Sequence, residues 1–411
     1  RVQPPDGNHL EESGGDGGMK WEKVKLGDIA TCIQPGPFGS QLHNSDYSKE
    51  GTPIIMPKDI VGGAIVHSGL LKVSEEHVKR LSRHQVYEGN LMVARKGDVR
   101  KCAYITANEN GWMTGSDCLK VVLDESKCYP KFIYYQLRSE HIGRWLEKVS
   151  IGATMPSLNT GLLSGIEMVL PPIEIQKQIA GILSVYDDLI ENNQKQIKLL
   201  EEAAQRLYKE WFVNLRFPGH ENTKIVDGVP EGWKKERLVD IAEIQYGYAF
   251  DGTLFNADKN GTPIIRIRNI PQAETMDYTT EHVSENYLVQ NGEIIVGMDG
   301  EFHINAWAGN TAYLVQRVCC IRPKNTEIKG WLLQAIYEPI KFFERTVVGA
   351  TVAHLGKKHL DSIYLLTSPE EFYEPFKTFF DKRLLLMNQN RKLREARDRL
   401  LPKLMSGEVE V

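Results

Sequence analysis

The chain contains one sequence pattern twice, with the matching segments in the same order. The period is about 200 residues, far above the roughly 20–50 residues of a solenoid repeat, so the pattern predicts a tandem duplication of a whole domain. Each half also ends in a long segment with helical periodicity. The clearest matches pair 21–30 with 233–242, 51–55 with 261–265, and 152–154 with 349–351.

Composition sets broad limits on the class of protein. A chain of 411 residues is long enough for two or three domains, and 41% hydrophobic with 25% charged residues is ordinary for a soluble globular protein. The net charge of −4 argues against a strongly basic coat, but the local placement of lysine and arginine decides phosphate contact. The six cysteines include no Cys-x-x-Cys pair, so we expect reduced thiols in a cytoplasmic protein.

Changes of pattern along the chain predict five segments. The first is polar and rich in glycine, and it lacks the apolar stretch of a signal peptide, so we expect a tag or a disordered tail. Two globular domains follow, and a helical segment comes after each of them. The predicted bounds are 1–18 for the tail, 19–170 and 218–368 for the domains, and 171–217 and 369–411 for the helical segments.

Both domains combine short strands with a helix. Short apolar runs bounded by glycine, proline and asparagine predict strands, and a later apolar pattern of helical period predicts the helix. The fold class is therefore α+β in each half. The predicted strands are 53–56, 90–94, 119–123, 263–267, 293–296 and 318–321, and the predicted helices are 132–146 and 331–343.

The two helical segments carry an apolar stripe that is too long to stand alone in water. In the first, apolar residues recur every three or four positions, with Asn193 and Gln196 among them, which is typical of a coiled-coil seam. The simplest assembly is an antiparallel coiled coil with pseudo-two-fold symmetry that fixes the distance between the domains; the alternative is that each helix packs on its own domain. The predicted seam residues are Ile182, Leu189, Leu200, Leu207, Leu386, Leu393 and Leu400.

Motifs of catalysis are absent from the sequence. It has no phosphate-binding Gly-x-x-x-x-Gly-Lys-Ser/Thr, no His-Glu-x-x-His, no Gly-x-Ser-x-Gly and no His/Cys cluster with metal-ligand spacing. Leu-Pro-Pro-Ile at 170–173 lacks the amide and the aromatic ring with which the Asn-Pro-Pro-Tyr loop of adenine methyltransferases holds a flipped base. The sequence therefore favours a binding protein over an enzyme.

Two similar domains on one chain suit a partner that is itself nearly two-fold symmetric, and duplex DNA is such a partner. In the first half, 95–101 places four cations around a glycine turn, which suits contact with phosphate or of arginine with guanine. A solvated hairpin tip is the structural alternative. The candidate DNA-binding residues of this half are Arg95, Lys96, Arg100, Lys101, Lys58, Thr154 and Asn159.

The second half offers chemically different candidates. The counterpart of the basic stretch, 298–303, is acidic, and 266–269 is basic where the first half has 56–59. These differences predict that the two domains read different half-sites; ordinary surface charge and tight structural turns are the alternatives. The candidate DNA-binding residues here are Arg266, Arg268, Asn269, His303, Thr351, His354, Lys357 and Lys358.

Several segments resemble the specificity (HsdS) subunits of type I restriction–modification systems. Residues 169–183, Val-Leu-Pro-Pro-Ile-Glu-Ile-Gln-Lys-Gln-Ile-Ala-Gly-Ile-Leu, are similar to the central conserved region of that family, and 399–409 is similar to its C-terminus. The Gly-Thr-Pro-Ile-Ile and Gly-Ala-Thr repeats are similar to parts of its target recognition domains. The resemblance covers 19–411, but the second helical segment departs from it by opening with Pro-Glu-Glu-Phe-Tyr-Glu-Pro at 369–375.

The resemblance implies a DNA-recognition subunit that is not catalytic. Each half would hold one target recognition domain that reads one half of a split DNA sequence, and the coiled coil would set the unread gap. The implied partners are double-stranded DNA, two modification (HsdM) subunits and two restriction (HsdR) subunits, with no membrane. This chain would bind no cofactor and no metal; S-adenosylmethionine, ATP and magnesium would serve the partner subunits, which methylate adenine at N6 and translocate and cleave unmodified DNA.

Two other functions stay open on the sequence. One is a stand-alone bipartite DNA-binding protein or repressor, and the other is a DNA methyltransferase. The missing Asn-Pro-Pro-Tyr loop weighs against the methyltransferase. The long helices weigh against the repressor, because their outward residues suit the docking of a methyltransferase.

Overall fold

The computed structural model of the protein describes residues 21–150, 157–346 and 353–411. The chain divides into two compact units: unit 1 consists of Arg1–Asp187 with Glu395–Val411, and unit 2 of Asp188–Arg394. Each unit therefore contains one globular domain and a part of both long helices. Within the described ranges, none of the helices has the length and apolar character needed to cross a membrane.

Unit 1 is built on two four-stranded sheets. One is antiparallel throughout, and the other contains a parallel pair, Thr52–Ile55 with Met113–Thr114. A third, two-stranded sheet pairs Glu22–Lys25 with Glu167–Leu170 and so joins the beginning of the domain to its end. In sheet order, the antiparallel strands are Ala30–Pro35, Cys118–Leu123, Leu91–Ala94 and Cys102–Tyr104, and the mixed sheet is Met113–Thr114, Thr52–Ile55, Leu71–Val73 and Tyr47–Ser48; a hairpin pairs Ile60–Val61 with Ala64–Ile65.

Unit 2 repeats this plan. Its antiparallel sheet has the equivalent strand order, its mixed sheet has the equivalent parallel pair, and Lys234–Arg237 pairs with Tyr364–Thr367. The prediction of a duplicated α+β domain is confirmed. The antiparallel strands are Ala242–Tyr246, Val318–Pro323, Ile294–Gly297 and Ile304–Ala306, the mixed sheet is Phe255–Asn256, Tyr278–Thr279, Thr262–Ile265, Ala312–Leu314 and Leu288–Val289, and a hairpin pairs Ile225–Val226 with Val229–Pro230.

Short helices cover the sheets, and each helix predicted after the strands is in fact two helices. In unit 1 the break falls at Ser139, whose hydroxyl accepts a hydrogen bond from Ile142 N and begins the second helix. The helices of unit 1 are Leu26–Ile29, Glu75–Arg80, Pro130–Leu137, Glu140–Val149 and Thr160–Ser164. Those of unit 2 are Leu238–Ile241, Lys329–Ala335, Tyr337–Thr346 and Lys357–Asp361.

The two long helices are Ile173–Tyr208, of 36 residues, and Glu374–Ser406, of 33 residues. The first continues into a π-helical turn at Lys209–Val213. The second begins later than the predicted 369, because Glu370–Phe372 forms a separate 3-10 turn. Pro375 then lies in the first helical turn, where the missing N–H of proline costs nothing.

Within unit 2 the two helices run antiparallel. Asn193 Nδ2 donates to Asn390 Oδ1 at 2.9 Å, and Arg383 Nε donates to Glu201 Oε1 at 2.7 Å, so residue numbers rise on one helix as they fall on the other. Both asparagines are buried, and Asn390 Nδ2 also donates to Ile190 O at 3.3 Å.

Within unit 1 the end of the second helix packs on the beginning of the first. Arg397 Nη1 donates to Asp187 Oδ1 at 2.5 Å. Leu401 and Leu404 belong to the same buried cluster as Leu183 and the domain core. The helix ends are therefore part of the hydrophobic core of this unit.

Two of the predicted seam positions are wrong. Ile182 and Leu189 are 37% and 45% exposed, whereas the next residues, Leu183 and Ile190, are buried. A shift of one residue turns a helix face by about 100°. The stripe is displaced because the first turns of the helix pack on the domain core as well as on the other helix, with Ile179 fully buried. Leu386 is buried, and Leu200, Leu207, Leu393 and Leu400 are half-buried.

Candidate nucleic-acid interface

Several chain segments of unit 1 meet where its strands end. They form a surface that we call strand-end face 1, made of residues 36–41, 56–59, 95–101, 115–117 and 157–159. Gly36 is required there, because a Cβ atom on it would lie 2.0 Å from Gly115 O. Backbone hydrogen bonds that join the segments run from Gly36 N to Cys118 O (3.1 Å), Gly115 N to Ile55 O (2.8 Å), Arg95 N to Asp117 O (2.7 Å) and Leu158 N to Arg95 O (2.8 Å).

Unit 2 has the same surface, strand-end face 2, made of residues 247–250, 266–269, 298–303, 315–317 and 353–358. The equivalent backbone bonds run from Gly247 N to Val318 O (3.0 Å), Val315 N to Ile265 O (3.2 Å), Met298 N to Arg317 O (2.8 Å) and Leu355 N to Met298 O (2.7 Å). Together with the strand registers, these bonds fix which residues correspond between the units. Met56 corresponds to Arg266, Arg95 to Met298, Lys96 to Asp299 and Asp117 to Arg317.

Three of the four cations in the basic stretch of unit 1 are held by other parts of the protein. Lys96 Nζ lies 3.0 Å from Asp117 Oδ1. Arg100 forms an ion pair with Glu140 on a neighbouring helix, and Lys101 Nζ donates to Pro57 O at 3.1 Å. These contacts hold the loop in place, so the three side chains are not simply free for phosphate.

Arg95 is different, because no carboxylate of the described residues pairs with it. Its guanidinium carbon lies 5.5 Å from the ring centroid of Phe38, a side chain that is 53% exposed. Lys58 is exposed at the edge of the same face, in the turn Pro57–Asp59. Asn159 has a structural role: its Oδ1 accepts from Leu162 N at 2.8 Å and caps the helix Thr160–Ser164.

In unit 2, the carboxylate of Asp277 binds two of the predicted DNA-binding residues. Arg268 forms an ion pair with it, and Asn269 Nδ2 donates to its Oδ2 at 3.3 Å. Asn269 Oδ1 also accepts from Arg266 N at 2.8 Å, in a capping arrangement. Arg266 itself has no carboxylate partner among the described residues, and its guanidinium carbon lies 5.7 Å from the ring centroid of Phe255.

The acidic loop of unit 2 is organised around Asp299. Asp299 Oδ2 lies 3.0 Å from Arg317 Nη1, and Asp299 Oδ1 lies 2.5 Å from His354 Nδ1. Arg317 holds a left-handed backbone conformation with φ of 71°, which an arginine adopts only when its surroundings impose it. On the same loop, His303 Nδ1 lies 3.6 Å from Glu301 Oε1.

Two lysines complete strand-end face 2. Lys357 and Lys358 are exposed in the first turn of the helix Lys357–Asp361, without an acidic partner in the described chain. Thr154 and Thr351 lie outside the described residues.

The chemistry available in the described chain suits binding. The six cysteines are free thiols, and burial raises the pKa of Cys102, Cys128 and Cys319 to about 12, so these thiols stay protonated. Among the described residues there is no group of three or more His, Cys, Asp or Glu side chains placed to hold a metal ion. What both faces offer instead is guanidinium, ammonium and carboxylate groups, with an exposed aromatic ring, Phe38, on face 1 and a half-buried ring, Phe255, next to Arg266 of face 2.

Sequence reasoning missed the partners that decide the state of each candidate. Phe38 and Phe255 carry no recognisable pattern, and Asp277, eight residues after Asn269, belongs to no motif. Arg317 was detectable only through the alignment of the two halves, where it occupies the position of Asp117.

Comparison with known proteins places the chain among specificity subunits. The family model described as "Type I restriction modification DNA specificity domain" matches residues 19–202 and again 230–371. The MjaIX specificity subunit of Methanocaldococcus jannaschii is 24% identical over 95% of this chain and 94% of its own length. The HindI specificity subunit of Haemophilus influenzae is 20% identical over 95% of this chain and 99% of its own length.

A solved structure shares the fold. The crystal structure of the S subunit of a type I restriction–modification system from M. genitalium superposes with a TM-score of 0.53 at 14% identity, covering 95% of this chain and 96% of that one. The family model covers more than half of the chain, in two blocks that correspond to the two repeats. The chain therefore belongs to the type I restriction–modification DNA specificity family and carries its specificity domain twice.

Proposed function

We propose that each unit reads one half of a split DNA target through its strand-end face. The observation that carries this proposal is that the two faces share one backbone framework and differ in chemistry where side chains project from it. Lys96 and Asp117 of unit 1 become Asp299 and Arg317 in unit 2, with the charges exchanged. A shared framework with exchanged side chains is what a protein needs to read two different short sequences in one manner.

Phosphate contact is assigned to exposed lysines of the two faces that have no acidic partner among the residues the structure describes. Lys58 on face 1 and Lys357 and Lys358 on face 2 meet this condition. Such contacts orient the protein on the duplex without reading sequence. They also make DNA binding weaker at higher salt concentration, although the net charge of the chain is −4.

The chain acts within a larger complex in this proposal. It contributes specificity and no catalysis, and it recruits two methyltransferase subunits that use S-adenosylmethionine to methylate adenine at N6, with two restriction subunits that depend on ATP and magnesium. The paired long helices set the number of unread base pairs between the half-sites. Membership of the family supports this assignment, as does the lack of catalytic motifs in the sequence. The cytoplasm is the proposed location.

Mapping of N6-methyladenine across a genome tests the proposal. A host without adenine methylation would express this chain with the methyltransferase subunit of the same system, and a control strain would express the methyltransferase alone. We expect methylation at one split motif, present only when this chain is present. A soluble complex that methylates no motif would overturn the proposal and favour a stand-alone DNA-binding protein.

A further inference from the structure

We infer that Arg95 of unit 1 and Arg266 of unit 2 are the residues that read guanine, each in its own half-site and each from a different loop of the same framework. The inference rests on the proposed function and goes further, because it assigns one base contact to a single residue in each unit. It predicts that the two guanines occupy different places in their half-sites.

Most arginines on the two faces are paired with carboxylates of the protein. Of the arginines that lie on the described parts of both faces, Arg100, Arg268 and Arg317 are ion-paired with carboxylates of the protein. Breaking such a pair to bind a base leaves a carboxylate facing the negatively charged duplex. Arg95 and Arg266 have no such partner in the described chain, so they can turn to a base without that cost.

Arg95 and Arg266 each lie beside an aromatic ring. The guanidinium carbons of Arg95 and Arg266 lie 5.5 Å and 5.7 Å from the ring centroids of Phe38 and Phe255. A cation over an aromatic face is attracted by the ring, and contact with the ring limits the rotamers of a long side chain. Arginine recognises guanine by two parallel hydrogen bonds to O6 and N7, which require a fixed orientation of the guanidinium plane. Phe38 and Phe255 are therefore positioning residues.

Arginine and methionine exchange positions between the two units. Arg95 corresponds to Met298, and Arg266 corresponds to Met56. Each unit therefore has arginine on one of the two loops and methionine on the other, in opposite order. Methionine cannot donate the two hydrogen bonds that guanine accepts, since its side chain has no hydrogen-bond donor. The reading group consequently projects from the loop 95–101 in unit 1 and from the loop 266–269 in unit 2.

Substitution by the residue of the other unit gives the sharpest test. Arg95→Met and Arg266→Met would each be expressed with the methyltransferase subunit in a methylation-free host, and the methylated motif would be compared with that of the wild type. We expect Arg95→Met to relax one guanine position in one half-site and leave the other half-site intact, with Arg266→Met doing the reverse. Discrimination at the relaxed position should fall roughly fivefold or more.

Matched variants separate reading from general binding. Arg100→Met and Arg268→Met remove arginines that are committed to carboxylates, and we expect both to retain the wild-type motif. Phe38→Leu keeps an apolar side chain but removes the ring, and it should relax the same position as Arg95→Met to a smaller degree. Thermal unfolding of each purified variant checks that it is folded.

Three results have distinct meanings. If the wild type methylates no split motif, the proposed function itself is wrong. If the wild type does so and folded Arg95→Met and Arg266→Met keep the same motif at full efficiency, the arginines do not read bases. Equal weakening at all sites without relaxation would assign them to phosphate and would overturn the inference as well.

Discussion

Lys96 Nζ lies 3.0 Å from Asp117 Oδ1, and the equivalent residues of unit 2 form the same ion pair with the charges exchanged. The pair joins the loop after one strand to the turn before its neighbour. Its conservation as a contact, with inversion of its charges, indicates that attraction between these two loops stabilises the framework in both units. The sign of the charge that each loop presents to a ligand is then free to differ.

Transplanting the pair of unit 2 into unit 1 should therefore be tolerated. Lys96→Asp or Asp117→Arg alone places two like charges together and should lower the free energy of unfolding by up to about 1 kcal/mol, since both side chains are partly exposed. The double variant should recover most of that loss. Urea denaturation of the four proteins in a double-mutant cycle measures the coupling; additive losses would show that the two residues do not interact.

We expect the Asp187–Arg397 pair to contribute far more to the free energy of unfolding than exposed ion pairs on the same helix do. Asp187 also accepts from Tyr135 Oη at 2.8 Å, and the Arg397 side chain is 9% exposed. Asp187→Ala leaves a buried arginine short of a partner and should lower the free energy of unfolding by about 3 kcal/mol. Glu191→Ala breaks an exposed pair with Lys195 and should cost no more than about 0.5 kcal/mol.

Denaturant unfolding of both variants tests this difference. The comparison is internal to one helix, because Glu191 lies about one turn beyond Asp187 and both positions receive alanine; the difference in helix propensity between aspartate and glutamate is about 0.5 kcal/mol or less. Similar losses in the two variants would mean that the buried pair contributes no more than a surface pair.

The buried Asn193–Asn390 pair should trade stability for specificity of helix pairing. A single Asn193→Leu leaves the buried Oδ1 of Asn390 without its donor, while Asn390 Nδ2 keeps Ile190 O, and should cost about 1–3 kcal/mol. Leucine at both positions removes the polar groups together, and we expect a protein at least as stable as the wild type, as for apolar replacements in other seams. Thermal midpoints give the order; a double variant less stable than both single variants would contradict the argument.

Most of the architecture could be predicted from the sequence, because it follows from the internal repeat and from the spacing of apolar residues. The repeat of whole segments indicated duplication, and apolar runs between glycine and proline gave strands such as Leu91–Ala94 within a residue of their bounds. The seam was misplaced at Ile182 and Leu189 because one helix face serves two surfaces. Periodicity reports that a face is buried, and it does not say which of two neighbouring faces lies against the domain.

The candidate interface was less predictable because its decisive contacts follow no local motif, and in unit 1 they join residues far apart in the sequence. The cations of 95–101 were visible in sequence, but the residues that neutralise them were not. Glu140 is 40 residues from Arg100, and Phe38 is further still from Arg95. Which arginine is left without a carboxylate depends on how loops meet at the strand ends, and no local pattern records that meeting.

His84 is a buried residue of unit 1 that is 3% exposed. Burial, together with the charges of Arg83 and Lys120, lowers the pKa of His84 from an ordinary 6.5 to about 4. The folded protein thus holds fewer protons on this side chain than the unfolded chain does between these two pH values. The stability that neutral His84 provides is fully present above pH 6.5 and is lost as the pH falls toward 4.

This difference in pKa between the folded and unfolded states corresponds to a loss of as much as about 3 kcal/mol in the free energy of unfolding, at 1.36 kcal/mol per pKa unit. His84→Gln removes the titrating group and keeps a polar side chain of similar length. Urea unfolding of both proteins between pH 4.5 and 7.5 should show the wild type losing stability relative to the variant as the pH falls. A stability difference that stays constant over this range would mean that His84 becomes charged in the folded protein as readily as in the unfolded chain.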